Sequence, residues 1–437
     1  MSSIGIIGAG PSGLSLGYFL GENFKIYEKD SAVGGHARSI KVDSYIFDRG
    51  PHIIFSRDKK ILDFMLSLIE DNVHNCVRNN KVWVGNRLLG YPIENDLGKL
   101  ESKIIEDVVT SLHEASLDPM PEINLDAWFR NHFGSVLTDL YFKPYNEKIW
   151  KTQLANLSMS WSERIPKPPF RDIIAGALGV VREGYTHQLF YQYPLLGGFQ
   201  ALSDSIAAKL KMPVKLDSEI NKILLTEEGL SITSNHETSK HDLLIWTGYL
   251  DHLISICDFQ IPMDIIEDVN SLRVNPMTCI TLAFESDSPP QFSAIYVPGN
   301  ESVFNRISFP TVFSPRNSPK GEFLVQAEVT YLPEDSCHSE KELCQDLVNL
   351  LQNMGVIEPD QIPTFQYVEY YKKAYVVYEV GYEIKIERVK NYFRSMGIIL
   401  HGRFGSFNYI NTDMCILESA KLAAELLSVD DFYSLLK

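Results

Sequence analysis

Three glycines and one carboxylate near the N-terminus have the spacing of a phosphate-binding turn. Gly8, Gly10 and Gly13 stand in G-x-G-x-x-G register within IGIIGAGPSG, behind a short apolar strand carrying Ile4, Ile6 and Ile7. Gly8 permits the tight turn, Gly10 lets the backbone approach a pyrophosphate, and Gly13 lets the next helix pack on the sheet. The N-terminus of that helix attracts phosphate oxygens. Glu28 closes a second strand, FKIYE, where a carboxylate accepts hydrogen bonds from ribose hydroxyls. The glycine pattern alone is weak evidence. Strand, glycines, helix and acid together predict a dinucleotide site.

Further segments carry chemistry-bearing residues. VGGHAR (Val33 to Arg38) and SYIFDRGPHIIFS (Ser44 to Ser56) follow directly, although Gly34-Gly35 alone reads as a turn. FKPYNEKIW and WSERIP place Tyr145, Lys148, Trp150 and Arg164 close together in sequence. IYVPGNESVFNR carries Tyr296 and Arg306, AYVVYE carries Tyr375, and GRFGSFNYINTDM carries Arg403, Tyr409 and Asn411. Arg side chains make bidentate, charge-assisted contacts with phosphates, and Tyr hydroxyls add donors without adding charge. A lone Arg is more often half of a surface ion pair. His52 lacks the spacing of a metal ligand, and no metal is expected.

In this order, over nearly the whole chain, these segments resemble the UDP-galactopyranose mutase family, a flavin-dependent group of nucleotide-sugar mutases allied to the amine oxidases. The resemblance implies that Gly8, Gly10, Gly13, Glu28, Gly35, Arg38, His52 and Arg403 hold FAD. It gives Arg164, Arg306 and His52 catalytic roles, the two Arg gripping the substrate diphosphate. It puts Asn146, Trp150, Tyr296, Tyr375, Tyr409 and Asn411 at the substrate.

The implied reaction interconverts pyranose and furanose forms of a nucleotide diphosphate sugar and belongs to cell-surface polysaccharide biosynthesis. Reduced FAD attacks the anomeric carbon through N5 and expels the nucleotide diphosphate. The flavin–sugar adduct opens, the ring closes through another hydroxyl, and the diphosphate returns. NAD(P)H is a candidate reductant. Two departures from the family's eukaryotic members bear on the nucleotide pocket: Ala294 replaces a Trp, and Glu94 replaces a Gln. The sugar, the nucleotide and the oligomeric state stay open. Two alternatives remain on the same first fifty residues: an amine oxidase-like or desaturase-like FAD oxidoreductase, and a flavoprotein that only binds a partner.

The elements that position these residues follow from composition and periodicity. The chain has 437 residues and a net charge of −16, which disfavours nucleic-acid and anionic-membrane surfaces. Six cysteines without a C-x-x-C pair suit a reducing compartment, and a cytoplasmic protein without stable membrane insertion is expected. KKILDFMLSLIEDNV and IIEDVVTSLHEA have helical periodicity, whereas KVWVGNRLLGYPI reads as a hairpin turning near Gly85-Asn86. HDLLIWTG and GIILHGRFG read as buried strands returning to the first sheet. The expected fold is α/β and α+β, with a discontinuous Rossmann-like FAD-binding domain over residues 1–56, 191–248 and 386–437. An inserted, mostly helical substrate domain occupies 57–190, and a substrate-domain β-sheet occupies 249–385.

Overall fold

The computed structural model describes residues 3–160, 162, 165, 167–180, 189–235 and 237–436. Five parallel strands form one sheet in the order Ile398–Leu400, Leu243–Trp246, Ile4–Ile7, Phe24–Tyr27, Val214–Lys215. They come from the start, middle and end of the chain. Ile4–Ile7 lies at the centre and is buried at every position. A parallel strand covered on both faces needs such a continuous apolar run. Helices Pro11–Leu20 and Thr412–Leu427 pack together beside it, through Leu14, Leu16, Ile416 and Ala420. This is the expected mixed α/β arrangement, with a discontinuous Rossmann-like unit.

A second sheet has seven strands, in the order Phe365–Val376, Val274–Glu285, Glu322–Thr330, Arg306–Ser308, Ala294–Tyr296, Asn80–Val84, Arg87–Gly90. All its pairings are antiparallel except Ala294–Tyr296 with Asn80–Val84. One face packs on helix Glu340–Asn353 through a core that includes Leu347, Leu351, Phe284 and Phe309. The hairpin at 80–90 turns at Gly85 and Asn86, with φ of 58° and 57°. Two consecutive left-handed residues are what a tight primed turn demands.

That hairpin departs from the expected partition. It lies in the stretch read as mostly helical, 57–190, yet it extends the sheet of 249–385 through the Ala294–Tyr296 ladder. Val73–Val77 likewise pairs across residue 190 with Phe190–Pro194. Periodicity is a local signal, while a ladder partner can lie hundreds of residues away. The helices expected in 57–190 are present as Lys59–Ile69, Ser102–Leu117, Leu125–Leu137 and Lys143–Trp150. Asp58 caps the first by accepting from the N–H groups of Lys60 and Ile61. Among the described residues no helix is long and apolar enough to cross a membrane.

Candidate active site

The glycine turn is shaped so that side chains are excluded. Gly8 has φ of 102°, and a Cβ there would lie 2.3 Å from Thr247 Oγ1. A Cβ on Gly13 would lie 2.0 Å from the Gly8 carbonyl oxygen, so the helix meets the strand backbone directly. Gly10 caps helix Pro11–Leu20 without a side-chain bond. Its first-turn N–H groups are left without a side-chain cap, as an anion site at a helix N-terminus requires. The second glycine pair closes over this turn. Gly34 N–H donates to Ala9 O at 2.8 Å, and a Cβ on Gly35 would lie 3.2 Å from Gly10 Cα.

Glu28 is buried, with Oε2 accepting from Ala9 N–H at 2.7 Å and Oε1 from Asp30 N–H at 3.0 Å. Each carboxylate oxygen keeps lone-pair capacity for a ribose hydroxyl. Arg38 is held by Asp30 at 3.1 Å. The last helix has Asn411 as its N-cap, with no side-chain bond.

Beside the turn lies a group of buried nitrogens. Strand Tyr45–Asp48 ends at Asp48, which accepts from Ser39 Oγ at 2.6 Å, the Tyr193 hydroxyl at 3.0 Å and Phe199 N–H at 3.2 Å. Burial pushes its carboxyl up to about 6 against those bonds. The network fixes the residues just after it. Among the described residues, Arg49 Nε, His52 Nδ1 and Arg403 Nε are all buried without a hydrogen-bond partner. The His52 ring lies 5.2 Å from that of Phe199. Burial, with Arg306 and Arg403 repelling the proton, pulls His52 down to about 4, so it is neutral at pH 7. Arg403 lies 4.7 Å over the Tyr409 ring. Unpartnered buried polar atoms are costly. Three of them beside an excluded-Cβ turn fit a polar, planar cofactor with a diphosphate, as flavin dinucleotide is.

The third part is an Arg–Tyr–Glu group on the second sheet. Tyr296 faces Arg306 across one ladder, and Arg306 faces Glu328 across the next. Glu328 is fully buried. Its Oε1 accepts from Arg306 Nε at 3.0 Å and Nη2 at 2.6 Å, and its Oε2 accepts from the Tyr375 hydroxyl at 2.7 Å. This leaves Arg306 Nη1 outside the pair.

Burial holds the Tyr375 and Tyr145 hydroxyls well above their ordinary range, so both stay protonated donors. The Tyr296 hydroxyl accepts from Asn80 Nδ2 at 3.1 Å, and its ring meets Tyr91 at 5.0 Å and Tyr145 at 5.5 Å. Trp150 meets Tyr375 at 5.8 Å and Tyr409 at 6.3 Å, which links this group to Arg403.

The structure thus brings together Arg306, His52, Trp150, Tyr296, Tyr375, Tyr409 and Arg403. Arg164 lies outside the described residues. Asn146, expected at the substrate, is engaged within its own helix. It is buried, its amide donates to Phe142 O at 2.7 Å, and its Oδ1 accepts from Trp150 Nε1 at 3.1 Å. It orients Trp150 from within the helix, because the i, i+4 spacing turns both onto one face. Glu328 was not foreseen. The available signal was a single charge inside FLVQAEVT, since a buried strand carries a carboxylate only with a partner. Glu94, in the short turn Ile93–Asn95, is 2% exposed. Ala294 is buried opposite Ser308.

Comparison with known proteins agrees with a flavin site. UDP-galactopyranose mutase, solved in its reduced form, superposes with a TM-score of 0.91 at 22% identity, over 100% of this chain and 96% of that one. Coproporphyrinogen III oxidase of Staphylococcus aureus is 20% identical over 98% of this chain and 99% of its own length. Protoporphyrinogen oxidase 2 of Arabidopsis thaliana, chloroplastic/mitochondrial, is 22% identical over 88% of this chain and 86% of its own. The model of the flavin containing amine oxidoreductases matches residues 12–390, and the chain belongs to that family.

Proposed function

We propose that this protein is a flavin-dependent mutase that interconverts pyranose and furanose forms of a nucleotide diphosphate sugar. The observation that carries the reading is the Arg306–Glu328–Tyr375 group with Tyr296, set beside His52 and Arg403. Reduced flavin, when bound, supplies an electron-rich nucleophile for the anomeric carbon. The chain's own residues do the rest. Arg306 is oriented by the buried Glu328, and its Nη1, outside that pair, suits a phosphate oxygen. The Tyr296 hydroxyl adds a donor to the leaving diphosphate and keeps it near for recombination, while Tyr375, whose proton goes to Glu328 Oε2, holds that carboxylate in place beside Arg306. Neutral His52 offers a hydrogen bond at the flavin without adding positive charge there. Trp150 and the Tyr rings around it exclude water.

The porphyrinogen oxidase relatives favour a second reading, oxidation of a tetrapyrrole or a similar reduced substrate. In that reading the clamp residues would hold carboxylates, and oxygen would reoxidise the flavin. One experiment separates the two. A panel of UDP- and dTDP-sugars is incubated anaerobically with dithionite-reduced protein and analysed for furanose products, in parallel with aerobic oxidation of coproporphyrinogen and protoporphyrinogen. Furanose product supports the mutase. Oxygen-dependent porphyrin formation without any furanose refutes it.

A further inference from the structure

Lys148 has an environment that the reaction leaves unexplained. It lies near the end of helix Lys143–Trp150 and is 9% exposed. Its Nζ donates to the carbonyls of Val297 at 2.8 Å, Ser302 at 3.0 Å and Phe304 at 3.3 Å, and also to that of Gly299. All four acceptors belong to one segment, residues 297–304, which joins strand Ala294–Tyr296 to strand Arg306–Ser308. The segment has little backbone bonding of its own. Val297 N–H donates to Asn305 O, Asn305 N–H donates to Glu328 O, and Phe304 N–H donates to Ser302 Oγ. An ammonium at the centre of the turn takes the place of a ladder. Arg could not do the same, because a planar fork cannot converge on four oxygens from one point.

The ends of this loop matter to the site. Tyr296 and Arg306 are the last ladder pair before it. The helix that carries Lys148 also carries Tyr145, against Tyr296, and Trp150, against Tyr375. Lys148 therefore ties the hairpin bearing one set of site residues to the helix bearing the other. A buried ammonium is costly unless fully hydrogen-bonded, and an apolar residue would fill the space at lower cost. What the apolar residue would lack is the fixed loop.

We propose that Lys148 is a positioning residue, whose ammonium fixes the 297–304 loop and so sets the spacing of Tyr296 and Arg306 for gripping a diphosphate. The diphosphate part rests on the nucleotide-sugar reading; the tethering of the loop does not. The test compares FAD-loaded full-length wild type, Lys148→Met and Lys148→Arg. Hydrogen exchange is followed for amides 297–306, and UDP affinity is followed by the change in flavin absorbance.

The expected result for Lys148→Met is faster exchange confined to 297–306, with exchange over Pro11–Leu20 unchanged. The UDP Kd should rise about tenfold or more, as expected for losing charge-assisted bonds. Lys148→Arg should be intermediate, and it carries the test if the Met variant fails to load FAD. Unchanged exchange over 297–306 overturns the proposal, and so does faster exchange with an unchanged UDP Kd. If wild type binds no UDP, the nucleotide reading fails, and exchange alone decides the tether.

Discussion

Replacing Glu94 by Gln isolates a buried carboxyl and tells what it does at neutral pH. Glu94 is buried next to Ile93, whose hydrophobic core also holds Leu97, Val82 and Tyr141. Burial pushes its carboxyl from 4.5 up to about 8. An acid whose folded pKa is raised stabilises the fold most at low pH. The unfolded chain ionises above 4.5 while the folded chain holds its proton, so stability falls as pH rises from 4.5 to about 8. At about 1.36 kcal/mol per pH unit, the loss reaches about 3 kcal/mol at pH 7 and about 5 kcal/mol above pH 8.

Glu94→Gln removes this dependence while keeping size and a donor–acceptor pair. The variant should gain on wild type by about 2–3 kcal/mol between pH 5 and pH 7, and by about 4 kcal/mol by pH 9. Over a chain of 437 residues, at roughly 2.1 cal/mol/K per residue, that is about 2–3 °C in Tm at pH 7. Thermal unfolding of FAD-loaded wild type and variant at pH 5, 7 and 9 measures it. A Tm offset that stays constant across those pH values would refute the reasoning, since it would mean that Glu94 titrates alike folded and unfolded. The same experiment bears on specificity. A protonated Glu94 presents the hydrogen-bonding pair of the Gln that the family resemblance leads one to expect. UDP affinity should therefore match between the two forms at pH 7 and part at pH 9.

Further outcomes are expected. Arg306→Ala should lower kcat/KM on a confirmed nucleotide sugar by about 2–5 kcal/mol, roughly 30-fold to several thousand-fold. It should also destabilise the fold by about 3–5 kcal/mol, because Glu328 is left buried without its partner. The double variant Arg306→Met with Glu328→Gln should recover stability in a denaturation assay without recovering kcat/KM. Gly13→Ala should fail to retain FAD, measured as flavin per protein, because its Cβ would meet the Gly8 carbonyl at 2.0 Å. Acid precipitation of wild type should release FAD into solution, and furanose formation should stop when the flavin is kept oxidised.

What the sequence disclosed and what it hid divide along one physical line. The phosphate turn was legible because its requirements are local: a positive φ at Gly8 and a backbone contact at Gly13 belong to neighbouring residues. The hairpin turn at Gly85-Asn86 was legible for the same reason. Glu328 was not, because its meaning lies in a partner on the adjacent strand, and strand register is not written in either strand alone. The bond of Asn146 is local as well: its Oδ1 accepts from Trp150 Nε1 one helical turn on. Lys148 was visible as part of a Tyr-x-x-Lys-x-Trp element, but its four carbonyl partners come from a loop that begins at Val297.

The residues that sequence reading recovers are thus those whose requirements lie in local backbone geometry. Those it misses are the ones that orient another side chain. Glu328 and Lys148 both act on Arg306, one by pairing with its guanidinium and the other by fixing the loop before it. A guanidinium paired with a buried carboxylate, on a strand whose preceding loop is tethered, has little rotamer freedom left to lose, and such preorganisation would let a single Arg discriminate an anion by geometry as well as by charge.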